Sequence, residues 1–182
     1  EEAGFSHLKI NTVVQRHVND QSVIDLVAYF RNTGHTVRLI EFMDVGNVNH
    51  WDRQLVVPSA DLLKAIHDRW PLRPVAKQPV GETARRYKFA DGAGEVGFIS
   101  SITEPFCGDC SRARVTADGV FYSCLFSARG TKLRDRIRDG MDAEELTGVI
   151  RELWSKRADR YSELRSQLQS TQPHVEMYRM GG

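Results

Sequence analysis

The sequence predicts an α/β fold followed by an α+β lobe, and three observations carry that expectation. A strand, helix and strand succeed one another at the start, two hairpin patterns punctuated by Asp-Gly occupy the middle, and a long amphipathic helix lies toward the end. The 182 residues are enough to bury a substantial core. Hydrophobic residues at 41% and charged residues at 27% are ordinary for a soluble globular protein.

A formal net charge of +1 gives no general pull toward nucleic acid or an anionic membrane, so any anion site is local. No apolar stretch approaches a bilayer span, and no basic segment followed by an apolar one opens the chain. A cytoplasmic location is therefore expected, with neither membrane nor nucleic acid as partner. Glu1-Glu2-Ala3-Gly4-Phe5 reads as the end of a helix stopped by glycine, which implies residues upstream that were removed or are absent.

Residues 8–14 are rich in β-branched side chains and read as a strand, after which Asn19-Asp20 offers a helix cap. Val23, Ile24, Leu26, Val27 and Phe30 fall on one helical face, Gly34 supplies a stop, and Val37 to Phe42 reads as a second strand. This is the length a parallel crossover requires. Strand parity sets Ile10 and Val14 with Ile40 and Phe42 on the helix-facing side. Lys9, Asn11 and Val13 with Leu39, Glu41 and Met43 then face the other way, where a barrel interior would lie. Such a face suits a polar ligand, the alternative being a Lys9–Glu41 ion pair neutralised inside the sheet.

Asp44 to Trp51 is a Gly/Asn-rich loop, and Ser59 or Asp61 caps a helix reaching Trp70, closed by Pro71 and Pro74. The lobe boundary is expected here, with residues 1–56 in the first part and 57–182 in the second. Hairpins follow at Tyr87 to Ser100 and at Arg114 to Cys124, and Asp142 caps a helix with Leu146, Val149, Ile150, Leu153 and Trp154 on one face. The run Lys132, Arg134, Arg136, Arg138 reads as a solvated surface.

Cys107 and Cys110 form a C-x2-C turn, and Cys124 follows on the far arm of the second hairpin, which would bring it back beside the pair. Three convergent thiolates favour a soft metal over inert thiols. Zinc would want a fourth ligand, for which His174 is the one downstream histidine. A cubane iron-sulfur cluster on three cysteines would instead leave one iron open to a substrate atom. The residues alone do not separate these two. Arg112 and Arg114, two apart on the strand leaving Cys110, project from one face and suit phosphate or purine edges.

The string Pro105-Phe106-Cys107-Gly108-Asp109-Cys110-Ser111-Arg112-Ala113-Arg114 and the later Cys124-Leu125-Phe126 resemble the GTP 3',8-cyclase (MoaA) family of radical S-adenosylmethionine enzymes in molybdenum cofactor biosynthesis. So do Lys9-Ile10-Asn11-Thr12-Val13-Val14, Glu41-Phe42-Met43-Asp44-Val45-Gly46-Asn47, Gly97-Phe98-Ile99-Ser100 and the terminal Met180-Gly181-Gly182. The resemblance spans nearly the whole chain in family order.

It implies the C-terminal portion of an incomplete parallel α/β (TIM-like) barrel, followed by an α+β lobe that carries an auxiliary 4Fe-4S cluster. Cys107, Cys110 and Cys124 would ligate that cluster, whose open iron binds the guanine of GTP. Arg112, Ala113 and Arg114 would line the GTP site, Lys9 would contact GTP, and Met43 would pack against S-adenosylmethionine. The Gly181-Gly182 tail would enter the active site. The implied reaction converts GTP to a cyclised nucleotide, passed on to cyclic pyranopterin monophosphate synthase, in an enzyme that is a homodimer. The family's radical-generating C-x3-C-x2-C motif does not occur in these residues, so the chain alone is expected to be catalytically silent.

Overall fold

The computed structural model describes residues 1–76, 81–165 and 175–180. Two compact units result: Glu1–Met43 with Trp51–Phe106, and Asp44–His50 with Cys107–Gly182. Residue 56, where a boundary was expected, falls inside the first unit. No described helix is long and apolar enough to cross a membrane.

In the first unit β1 (Lys9–Val14) leads through a 3-10 turn at Asp20–Ser22 into α1 (Val23–Phe30) and back to β2 (Thr36–Glu41). The two strands pair in parallel from Lys9↔Thr36 to Val14↔Glu41, so the expected crossover is present. There follow α2 (Ser59–Arg69), β3 (Leu72–Pro74), β4 (Arg85–Phe89) and β5 (Glu95–Ile99). The sheet order is β1-β2-β5-β4-β3. Since β5 joins β2 in parallel but β4 runs antiparallel to both its neighbours, the sheet is mixed. The expected hairpin between Tyr87 and Ser100 forms its antiparallel arm.

Val14, Val37, Leu39, Val96 and Phe98 make the sheet side of the core, packed with Val23 and Val27 of α1 and Leu62 and Ile66 of α2. Burying side chains of this size is worth about 1.5–3 kcal/mol each relative to leaving them in water.

The register corrects one expectation. Paired residues in parallel strands share a face, so Val37, Leu39 and Glu41 lie with Ile10, Thr12 and Val14, and Ile40 lies on the opposite side. The expected parity, with Ile40 and Phe42 facing the helices, is therefore reversed, and because Leu39 and Ile40 are both apolar the alternation alone does not choose between the two. Lys9 and Glu41 stand on opposite faces at opposite ends of their strands, which excludes the ion pair between them. Lys9, Asn11 and Val13 do lie on the face away from the helices, as expected, and there they are exposed. Alongside them Arg38 pairs with Glu82 at 3.4 Å, and Arg86 bridges Glu82 at 3.6 Å and Glu95 at 3.3 Å.

Glu41 is 1% exposed and fully satisfied. Its carboxylate accepts the amides of Ser59 and Ile102 at 2.8 Å, the amide of Thr103 at 2.9 Å and the Thr103 hydroxyl at 2.6 Å. The residue preceding α2 is Pro58, which has no capping side chain, so neither Ser59 nor Asp61 caps this helix and Glu41 supplies the acceptor from β2.

The second unit holds β6 (Arg114–Val115), β7 (Val120–Tyr122) and β8 (Thr131–Lys132) in an antiparallel sheet of order β6-β7-β8, followed by α3 (Leu133–Arg138), α4 (Ala143–Ser155) and α5 (Tyr161–Leu164). The Asp118-Gly119 hairpin is present, with Arg114 opposite Tyr122. Gly119 sits at φ +76°, and a Cβ there would come within 2.6 Å of the Arg134 Cβ, so only glycine fits. At α4 the Asp142 carboxylate accepts the amides of Glu144 and Glu145 at 2.9 Å, and Glu145 accepts the Asp142 amide at 3.1 Å. Asp142 caps the helix as expected, and the return bond from Glu145 completes a capping box.

Candidate functional site

The thiols belong to two short segments of the second unit. Cys107–Asp109 is a single 3-10 turn, closed by the Cys110 amide donating to the Cys107 carbonyl at 3.3 Å, so two thiols leave one tight turn. The chain then enters β6, reverses at Gly119 and returns along β7, with Cys124 two residues beyond its end. There the Phe126 amide donates to the Cys124 Sγ at 3.5 Å and the Ser127 amide to the Cys124 carbonyl at 3.2 Å. All three cysteines are free and half-buried.

Their surroundings set them apart. Burial alone would raise the Cys110 thiol, but the Arg112 amide and guanidinium, with Arg157 beside them, outweigh it and hold its pKa below the ordinary thiol value. At Cys124 burial wins, and the negative charges of Asp159 and Cys107 push its pKa further up. Among the described residues no three His, Cys, Asp or Glu side chains stand as a group able to hold a metal ion, so the expected convergence on one centre is not completed in this structure. The donor set still fits a soft metal centre: three thiols, an amide donor on one sulfur and a cationic neighbour on another.

Arg112 is exposed, Ala113 lies exposed beside it, and Arg114 is half-buried in β6 with its Nη1 donating to the Met180 carbonyl at 3.3 Å. Burial and then the positive charge of Arg112 lower the Arg114 pKa. Like charges held together in this way favour an anion between them. Lys9 and Met43 belong to the first unit, Lys9 exposed at the start of β1 and Met43 half-buried just past β2. His174, Gly181 and Gly182 lie outside the described residues.

Sequence reasoning missed the residues that tie the thiol segments together. Arg157, just past α4, donates through Nη1 to the Cys110 carbonyl, and its Nε faces Asp159 at 3.5 Å. Asp159 in turn accepts the Ser123 hydroxyl at 2.6 Å and the Ser127 hydroxyl at 3.3 Å, on either side of Cys124. Nearby, Tyr161 stacks on Phe126 at 4.5 Å between ring centres. Asp44 accepts the Tyr161 hydroxyl at 2.8 Å and the Arg165 Nε at 2.9 Å. An isolated Arg-x-Asp after a helix is too common a pattern to single out, and only the fold brings it to the cysteines.

Together these features define a mixed α/β protein with three reduced thiols and an arginine pair in one unit. The chain belongs to the Molybdenum Cofactor Synthesis C family, whose model matches residues 35–163. It is 53% identical over 182 residues to the GTP 3',8-cyclase of Xanthomonas campestris pv. campestris (strain B100), covering 100% of this chain and 53% of the relative. It is 48% identical to the GTP 3',8-cyclase of Synechococcus sp. (strain CC9605), over 99% of this chain and 52% of that protein. With the GTP 3',8-cyclase of Acidothermus cellulolyticus the identity is 45%, over 91% of this chain and 47% of the relative. The chain spans about half the length of the curated relatives it matches.

Proposed function

We propose that this chain is the C-terminal, substrate-binding part of a GTP 3',8-cyclase of molybdenum cofactor biosynthesis. The observation that carries the reading is the neighbourhood of Cys110: the Arg112 guanidinium reaches its sulfur, and Arg114 stands beside Arg112. Cys107, Cys110 and Cys124 would hold a 4Fe-4S cluster, which would supply an iron open to the guanine of GTP.

Arg112 and Arg114 hold the anionic nucleotide beside that position, with Ala113 leaving room between them. Lys9 adds a cation to the GTP site, and Met43 packs against S-adenosylmethionine. The Gly181-Gly182 tail approaches the reacting nucleotide, where the absence of a Cβ permits close backbone contact. The chemistry also needs the radical-generating half, so the chain alone is silent. The full-length enzyme is a cytoplasmic lyase and a homodimer that releases (8S)-3',8-cyclo-7,8-dihydroguanosine 5'-triphosphate to cyclic pyranopterin monophosphate synthase. The barrel assignment of β1 and β2 belongs to the same proposal, and their parallel pairing supports it.

Anaerobic reconstitution of this chain with iron and sulfide tests the ligand set. The expected result is about four irons per chain, with the cluster's broad visible absorption abolished by Cys124→Ala. Stoichiometric zinc with no iron uptake overturns it in favour of a zinc-stabilised binding module that uses the three thiols and His174.

A further inference from the structure

The two thiol segments, 107–110 and 123–127, are separated by a whole hairpin. Among the described residues one charged pair reaches both. Arg157 is 11% exposed at its side chain and lies over the Trp154 ring at 4.8 Å, which fixes the direction of its guanidinium. From there it donates to the Cys110 carbonyl and meets Asp159. Asp159 grips both hydroxyls that flank Cys124. One ion pair thus reaches the backbone of one cysteine and a serine on each side of another.

We infer that Arg157 and Asp159 are positioning residues for the three-thiol centre, a cationic arm on the Cys110 side and an anionic arm on the Cys124 side that together set its geometry and its reduction potential. This rests on the reading of the thiols as cluster ligands. Groups that orient metal ligands and place charge beside the sulfurs tune both affinity and potential. The two arms carry opposite charge, so they act on the potential in opposite directions. Removing the cation disfavours the extra electron of the reduced centre, and removing the anion favours it. A scaffold role without electrostatic influence has no such sign.

The test uses the full-length protein with its upstream C-x3-C-x2-C cysteines replaced by alanine, so that only the centre on this chain is observed. Iron content, EPR spectrum and mediated potentiometric titration are compared for the parent, Arg157→Gln, Arg157→Lys and Asp159→Asn. The expected result is a lower potential for Arg157→Gln, a higher one for Asp159→Asn, and return toward the parent value for Arg157→Lys. Equal potentials and unchanged EPR lines in all four overturn the inference. If Arg157→Gln takes up no iron, a folded far-UV spectrum together with iron uptake by Arg157→Lys supports it, and an unfolded spectrum overturns it. A parent protein that itself loads no iron is the separate failure of the cluster reading.

Discussion

The Glu41 carboxylate accepts the Ser59 amide at 2.8 Å, so a side chain at the end of β2 closes the first turn of α2. The same group holds the turn after β5 through Ile102 and Thr103. It is the joint at which strand, helix and loop of the first unit meet. Glu41→Ala leaves two buried amides and one part-buried amide without an acceptor and is expected to cost about 3–5 kcal/mol, since each orphaned donor carries a desolvation penalty. Glu41→Gln keeps an acceptor oxygen but loses the charge-assisted bonds, and about 1–2 kcal/mol is expected. Urea unfolding monitored at Trp51, whose Nε1 donates to the Phe42 carbonyl at 2.8 Å, measures both. Equal midpoints for wild type and Glu41→Ala would refute the assignment.

Two glycines of the second unit are expected to respond with opposite signs. A Cβ at Gly130 would lie 2.6 Å from Val120 Cγ1 and 2.8 Å from the Phe121 carbonyl oxygen, and the backbone oxygen has no free rotation by which to yield. Gly130→Ala is expected to lose about 1–3 kcal/mol, as overpacked sites do. Gly148 lies within α4, where a Cβ meets nothing within 4 Å. Gly148→Ala is expected to gain about 0.5–1 kcal/mol from reduced backbone entropy of the unfolded chain. Thermal melts of the two variants side by side decide it, and a loss at both positions contradicts the geometry.

Tyr161 gives a pH signature. Burial first, then its bond to Asp44 and the Asp44 charge, push the phenol up to about 12 from its ordinary value of 10.0. Its folded pKa is raised, so the fold holds the proton more tightly than the unfolded chain does. The stabilisation is therefore complete below pH 10 and disappears as pH rises through about 12. Tyrosinate absorbance should show a step near pH 12 that Tyr161→Phe removes. A difference spectrum already complete by pH 10 contradicts the buried Asp44 contact.

What could be read from the sequence was what neighbours in sequence determine. The Asp142 cap and the Asp118-Gly119 reversal are local, built by residues one to three apart, and both are present as expected. The parity of β2 was not legible, because Leu39 and Ile40 are both apolar and the partners that satisfy Glu41 lie 18 to 62 residues away. Nor did the pattern show that β3, β4 and β5 extend the sheet of β1 and β2, since nothing local records which edge a hairpin joins. At the site, the thiols and the arginine pair were legible as motifs. Arg157 and Asp159 were not, because their role exists only where the return of the hairpin meets the end of α4.

Arg112 carries the most direct test of the nucleotide reading. Its guanidinium supports Cys110 and stands beside Arg114, so it is placed to meet both the thiol centre and an anion. Replacing it by alanine removes one charge-assisted bond, for which a loss of about 1.5–3 kcal/mol in GTP affinity is expected. Calorimetry in the reconstituted full-length protein measures that loss, and iron content measured on the same sample separates it from damage to the centre. Arg112→Lys keeps the charge but not the planar fork, so it should recover only part of the affinity. Full recovery by lysine would mean that charge alone is recognised, and unchanged affinity in Arg112→Ala would remove Arg112 from the nucleotide site altogether.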